Sequence, residues 1–289
     1  MLAEEWPLLL FTLLTQFAIG TFVILILIRS HWNQDVTTES QLIRSGILIA
    51  GPVMAVALVL SVLHLGSPFG AYRAILNIGS SWLSREILIT GVFFGLLVLC
   101  IYTHLVGKTS TILEKVTAIV GVAAVYSTAS LYTHSIRPAW IDINTYITFF
   151  STTLVLGALG AIGSIVFGTK GKNLSDEIGK VLKMIIYIAV FAILIPILYM
   201  PIFIAKLSGG GSAAMESAKL LGGYAFPLLA RWVLSLFGVG LLLYTLHKKD
   251  QSGQLLTMNM VYIGGSLVFA GEFIGRCLFY AIAVSVGIG

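Results

Sequence analysis

Eight apolar stretches, each long enough to cross a bilayer, leave this 289-residue chain little freedom of architecture. Windows of about 19 residues place them at approximately 7–29, 42–64, 87–106, 112–132, 146–168, 180–203, 224–246 and 257–283. Spanning roughly 30 Å of hydrocarbon takes about 20 helical residues. Strand-like alternation is absent, so the stretches read as helices and not as barrel strands. Composition agrees, with 58% of residues hydrophobic and 10% charged, where a soluble domain carries about a quarter charged. The expectation is an all-α integral membrane protein of eight transmembrane helices, a single polytopic membrane domain over residues 1–289, packed as two four-helix bundles. The longest connections have about 18 residues, which leaves no room for a soluble domain and makes sequence neighbours antiparallel neighbours in space. One of them contains Ser208-Gly209-Gly210-Gly211-Ser212 and reads as a flexible turn.

Basic residues orient the spans, because cytoplasmic loops retain Lys and Arg. The connections after spans 1, 3, 5 and 7 carry Arg29, Arg44, Lys108, Lys115, Lys170, Lys172, Lys180, Lys183, Lys248 and Lys249, ten in all; the opposite set carries Arg73, Arg85, Arg137, Lys206 and Lys219, five in all. Both termini are therefore expected on the outer, periplasmic side of the inner cell membrane. The first run follows Glu4 and Glu5 in place of a basic segment and lacks a small-residue cleavage site, so it reads as a permanent helix. The net charge of +5 lies in loops beside spans and gives no reason to expect a nucleic-acid partner; the partner it implies is the lipid bilayer. Cys100 and Cys277 fall inside apolar runs as small hydrophobes, in no metal-binding pattern.

The residues that could carry chemistry lie mostly toward the outer ends of the spans. His64 closes span 2 in Leu63-His64-Leu65-Gly66-Ser67-Pro68. It reads either as an imidazolium on the negative end of a helix dipole or as a proton acceptor that works near neutral pH. Glu86, after Ser84 and Arg85, is either a helix-start carboxylate with a serine near the cap or a second proton acceptor paired with His64 across the 2–3 loop. In span 8, Gly271-Glu272-Phe273-Ile274-Gly275-Arg276 puts opposite charges at i and i+4 on one helix face. Charges at membrane depth pair or face a cavity, and the two glycines let a neighbouring helix or a ring approach closely. Arg231 lies about 10 Å inside span 7 and either snorkels to the headgroups or joins the same site. Gln16 lies some ten residues into span 1. The inner half supplies little beyond His104, read as an interfacial residue near the end of span 3.

An apolar site reached from lipid and equipped with a few proton acceptors suits a quinol, whose hydroxyls need acceptors in hydrogen-bond reach and whose isoprenoid tail needs a greasy slot. No cysteine cluster for iron–sulfur and no Cys-x-x-Cys-His is present. His64 with His134 is the best axial pair for a haem b anchor, an alternative reading. A secondary transporter is another; transporters show repeats and broken midplane helices, where here Pro196 and Pro201 in span 6 are the interruptions. A passive scaffold, in which the charges merely pair helices, is the third.

Four motifs then converge: Glu5-Trp6-Pro7-Leu8-Leu9-Leu10-Phe11-Thr12 followed by Gln16, the hexapeptide Leu63–Pro68, Leu83-Ser84-Arg85-Glu86-Ile87, and Gly271-Glu272-Phe273-Ile274-Gly275-Arg276-Cys277-Leu278-Phe279-Tyr280. Together they resemble the membrane anchor subunits of anaerobic dimethyl sulfoxide reductases. Length and span number agree over the whole sequence; spans 4 to 7 match in hydropathy, with Pro138-Ala139-Trp140 echoing the family's 4–5 loop. The resemblance implies a haem-free anchor without its own iron–sulfur cluster. Such an anchor binds and oxidises menaquinol near the outer face and passes electrons to an iron–sulfur subunit, which feeds a molybdopterin catalytic subunit. By the same resemblance His64 and Glu86 are the quinol-site residues, with Glu272 and Arg276 as further site or partner-contact residues.

Overall fold

The computed structural model describes residues 2–29, 36–64, 77–168, 176–252 and 258–286. These contain nine helices and no strand: α1 (Leu2–Arg29), α2 (Val36–His64), α3 (Trp82–Leu105), α4 (Thr111–Thr133), α5 (Ile143–Gly168), α6 (Asp176–Ser208), α7 (Ser212–Gly223), α8 (Ala225–Ser252) and α9 (Met258–Ala281). All but α7 are long and apolar enough to cross a membrane, as the hydropathy predicts.

The differences from expectation lie at helix ends. Helix α3 starts at Trp82, five residues before the predicted 87, because Ser81 and not Ser84 is the N-cap: its side chain accepts from the Ser84 N–H at 3.4 Å. Helix α6 runs on through Pro196 and Pro201 to Ser208, and α2 runs through Pro52. A membrane helix tolerates such prolines because neighbouring groups take up the freed carbonyls. Only Gly209–Gly211 break the backbone at the expected flexible turn; from Ser212 it winds into the 12-residue α7. Polar on one side, α7 buries Ala214 and Leu221 with Phe203, Leu207, Ala139 and Ile282 in a small cluster over the bundle end.

Helices α1 and α5 are the most buried and form the centre. Helix α1 packs on α2, α4, α5 and α9; α5 packs on α1, α2, α4, α6 and α9. Contacts close one ring through α1, α2, α3 and α4, and another through α5, α6, α8 and α9. Their shared contact is a glycine crossing. A Cβ on Gly20 would lie 2.0 Å from the Thr153 carbonyl oxygen, and one on Gly157 would lie 2.3 Å from the Gly20 carbonyl carbon. Lipid tails are as apolar as leucine, so helices associate in membranes through such close backbone packing. Around the crossing, Phe22 and Phe93 meet edge to face at 6.3 Å in one core, and Ile24, Leu25, Ile165 and Leu182 fill the other.

The near end of the bundle is the one at which α1 begins and α9 finishes. It is closed by the 4–5 connection: the Val286 N–H donates to the Ile136 carbonyl at 3.2 Å, and Lys206 Nζ donates to Asp142 Oδ2 at 2.9 Å. Burial works to raise the Asp142 pKa, but hydrogen bonds from Lys206 and the Asn144 N–H outweigh it and hold the carboxyl below the usual range.

Two outcomes follow. Gly157→Val should separate α1 from α5 at a cost of about 3 kcal/mol or more, since backbone atoms cannot yield, seen as a lower unfolding temperature in detergent. Because the Asp142 pKa is depressed on folding, its contribution is complete above about pH 4 and is lost as pH falls below that. The protection of the Asn144 amide against hydrogen exchange, taken relative to its intrinsic rate at each pH, should therefore fall below about pH 4 in the native protein, and Asp142→Asn should abolish that acid-dependent step.

Candidate functional site

The candidate residues Gln16, Glu86, Arg231, Glu272 and Arg276 are all buried, and the helices join them into one polar seam. Helix α9 presents Glu272, Arg276 and Tyr280 at four-residue spacing, one above another on a single face. Arg276 Nη2 donates to Gln16 Oε1 of α1 at 2.6 Å, and Gln16 Nε2 donates to the Phe149 carbonyl of α5 at 3.3 Å. The same guanidinium carbon lies 4.0 Å from the centre of the Phe149 ring. One turn below, Glu272 Oε2 accepts from Thr152 Oγ1 of α5 at 2.7 Å. One turn above, the hydroxyls of Tyr280 and Tyr132 share a hydrogen bond of 2.5 Å. Tyr132 stands one turn beyond Thr128 in α4, and Thr128 Oγ1 donates to Glu86 Oε1 of α3 at 2.9 Å. Both tyrosines lie in electrostatic reach of Glu86 and of Arg276.

Glu272 and Arg276 share one face, as their spacing predicts, without forming an ion pair with each other. Each is held by another helix, Glu272 by Thr152 and Arg276 by Gln16. Arg231 does not snorkel. It is buried, its guanidinium lies 4.2 Å from the Trp232 ring centre and crosses α9 where Gly275 has no side chain; a Cβ there would stand 2.4 Å from Arg231 Nε. Gly271 likewise admits Ser235, with its Oγ 2.2 Å from a notional Cβ. Arg231 Nε, Arg276 Nε and Nη1, and Ser235 Oγ are buried without a hydrogen-bond partner from the protein. Buried N–H groups of this kind are rarely left without an acceptor; here the two guanidinium groups lie over the rings of Trp232 and Phe149.

His64 is the last residue of α2, at the near end; its side chain and Leu65–Pro68 lie outside the described residues, and with them the expected pairing with Glu86. His134 lies exposed beside Trp82 at 5.1 Å, its Nδ1 donating to the Ser130 carbonyl at 2.8 Å. The 4–5 motif has a structural role: Trp140 Nε1 donates to the Phe279 carbonyl at 2.9 Å and its ring stacks on Phe279 at 5.3 Å.

His104 lies at the end of α3, as expected, but is not exposed there. It is buried at the opposite end, where Nε2 meets Glu114 Oε1 at 2.8 Å and Arg29 Nη1 donates to Glu114 Oε2. Gly107, at φ +71°, turns the backbone tightly enough to bring α3 and α4 together there. Thr128, Tyr132, Thr152 and Tyr280 are the seam residues that sequence reasoning missed. The spacing of Tyr280, four residues after Arg276, is the signal that could have found one of them.

Across nearly the whole sequence, residues 2–282 match the profile of the family described as DMSO reductase anchor subunit (DmsC). The protein belongs to that family. Among its relatives are the C subunit of the anaerobic dimethyl sulfoxide reductase of Escherichia coli (strain K12), 27% identical over 98% of this protein and 96% of the relative, and the anaerobic dimethyl sulfoxide reductase subunit YnfH of the same strain, 27% identical over the same shares. The corresponding C subunit of Haemophilus influenzae is 25% identical, again over 98% and 96%. With eight membrane-length helices, the anchor is a multi-pass membrane protein, as the four motifs imply.

The seam makes Gln16 a structural prerequisite. Gln16→Leu removes the acceptor of a buried guanidinium and should cost about 3 kcal/mol, the penalty of an unmet charged donor. Thermal unfolding of the purified anchor in detergent measures the loss, and Gln16→Glu, which keeps an acceptor, should recover most of it.

Proposed function

We propose that the anchor binds menaquinol at the near end and oxidises it, passing the electrons to an iron–sulfur subunit that feeds a molybdopterin catalytic subunit. Family membership supports a membrane anchor of a DMSO reductase complex with electron-transfer and catalytic partners. The observation that carries the quinol reading is the seam: two buried arginines with unpaired N–H groups, a buried carboxylate held by one threonine, and a second carboxylate at the far side of a tyrosine pair. Such a site offers donors to a quinone oxygen and acceptors to a quinol hydroxyl in an apolar surround.

In this reading Gln16, Arg231, Glu272 and Arg276 hold the ring, and His64 and Glu86 accept the protons. Oxidation removes two electrons and two protons from each quinol. The electrons leave for the iron–sulfur partner, while the protons pass to the acceptors and then to water. The two helix rings act as two four-helix bundles whose seam is the site. The near end, with both termini, faces the periplasm across the inner membrane, so the protons emerge there and the anchor does not pump.

In the purified complex, His64→Arg should abolish binding of a fluorescent quinol analogue while the subunits remain assembled. Glu86→Gln should lower quinol-dependent turnover by about a hundredfold, the contribution of a positioned acid–base group. Unchanged binding and turnover in both variants would sink the assignment. In oriented vesicles the protons should appear on the side of the termini; release on the opposite side would refute the orientation.

A further inference from the structure

Below Glu272, helices α5 and α9 part. The Thr152–Glu272 hydrogen bond draws them together at one level, and the rings of Phe167 and Tyr262 meet again at 6.1 Å near the opposite end. Between these two closures lies an apolar crevice of about 380 Å3, floored by Leu242 of α8 and bounded at its upper end by Phe17 and Phe269. Phe17 follows Gln16, and Phe269 is one turn from Glu272, so the crevice begins directly beneath the polar seam. Phe167, Tyr262 and Phe269 are exposed, so it opens on the lipid-facing surface.

Elsewhere in the protein, glycines at helix contacts are filled by neighbours: Gly157, Gly160, Gly271 and Gly275 each have atoms of another helix within 3.0 Å of a notional Cβ. Gly163 of α5 and Gly265 of α9, on the walls of the crevice, have none within 4 Å, as is also true of the exposed Gly91, Gly95 and Gly240 elsewhere. At the crevice these two glycines keep its walls free of side chains. An apolar crevice is not a place for water, so hydrocarbon from the lipid side fills it.

We propose that this crevice holds the prenyl tail of the quinol, which passes Glu272 to a ring held in the seam on its near-end side, toward Glu86. The proposal rests on the quinol reading above and adds to it the path of the tail. The depth of the polar end selects the occupant. Glu272 lies nine residues, roughly 13 Å, from the end of α9, well inside the hydrocarbon. A phospholipid in the crevice would keep its headgroup at the interface and bring only acyl atoms to a buried carboxylate and two arginines. A prenylated quinol joins a small hydrogen-bonding ring to an apolar tail, and so offers both parts in the order that the seam and crevice demand.

The test compares a long-tailed menaquinol with a tail-less naphthoquinol in the purified complex. Gly163→Leu and Gly265→Leu each project a side chain into the crevice where a Cβ meets nothing. Each should raise KM for the long-tailed quinol about tenfold, the effect of displacing a few buried methylenes, and leave KM for the tail-less one unchanged. Equal change for both quinols, or no change in either, overturns the tail site while leaving quinol oxidation intact. Failure of the unaltered complex to oxidise either quinol overturns the quinol reading instead. In the unaltered complex, a menaquinone with a diazirine in its tail should label peptides of α5 and α9 that carry Phe167 and Phe269. Labelling only elsewhere, or equal labelling by a phospholipid with a diazirine in its acyl tail that excess menaquinone does not displace, overturns the proposal.

Discussion

The cost of an unpaired charge in hydrocarbon governs how this anchor is put together. Glu86, Arg231, Glu272, Arg276 and the far-end Glu114 are all buried, and a membrane offers them no water. Each hydrogen bond that satisfies one of them therefore runs between helices, and each doubles as a tether. Thr152 to Glu272 fixes α5 to α9, Gln16 to Arg276 fixes α1 to α9, and Thr128 to Glu86 fixes α4 to α3. What the helices lack in hydrophobic drive toward one another, the buried charges supply as specificity.

The close approaches make that network possible. The α1–α5 glycine crossing leaves α1 central enough for Gln16 to reach α9 on one side while Phe22 meets Phe93 on the other. The same device on α9 serves a different end. Gly275 accommodates a guanidinium rather than a helix backbone, which brings Arg231 beside the seam instead of leaving it at the interface. Small residues thus set two distances at once, helix to helix and charge to charge.

Much of this was legible in the sequence, and the reasons for the remainder are physical. Eight spans could be counted because a membrane helix announces its length in apolar residues, and the charged residues at depth stood out because burying them is costly. The partners were hidden. Thr128 and Thr152 are ordinary small residues in apolar runs, and nothing local shows that one faces Glu86 and the other Glu272. Glu272 and Arg276 invited an i,i+4 pairing because spacing reports only their own helix. The partners of His104 were hidden too, because Glu114 lies across a turn and Arg29 lies 85 positions from that glutamate. Helix α7 escaped because the glycines before it suggested a loop throughout.

The bond between Gln16 and Arg276 joins the first helix to the last across 260 positions. It cannot exist while the protein is still emerging from the ribosome. Until α9 enters the bilayer, Gln16 waits without its guanidinium, and the seam lacks Glu272, Arg276 and Tyr280 together. Contacts this distant in sequence form last. A product cut short before α9 would have seven spans, with Gln16 and Thr152 buried and without the Arg276 and Glu272 that they hold in the finished protein.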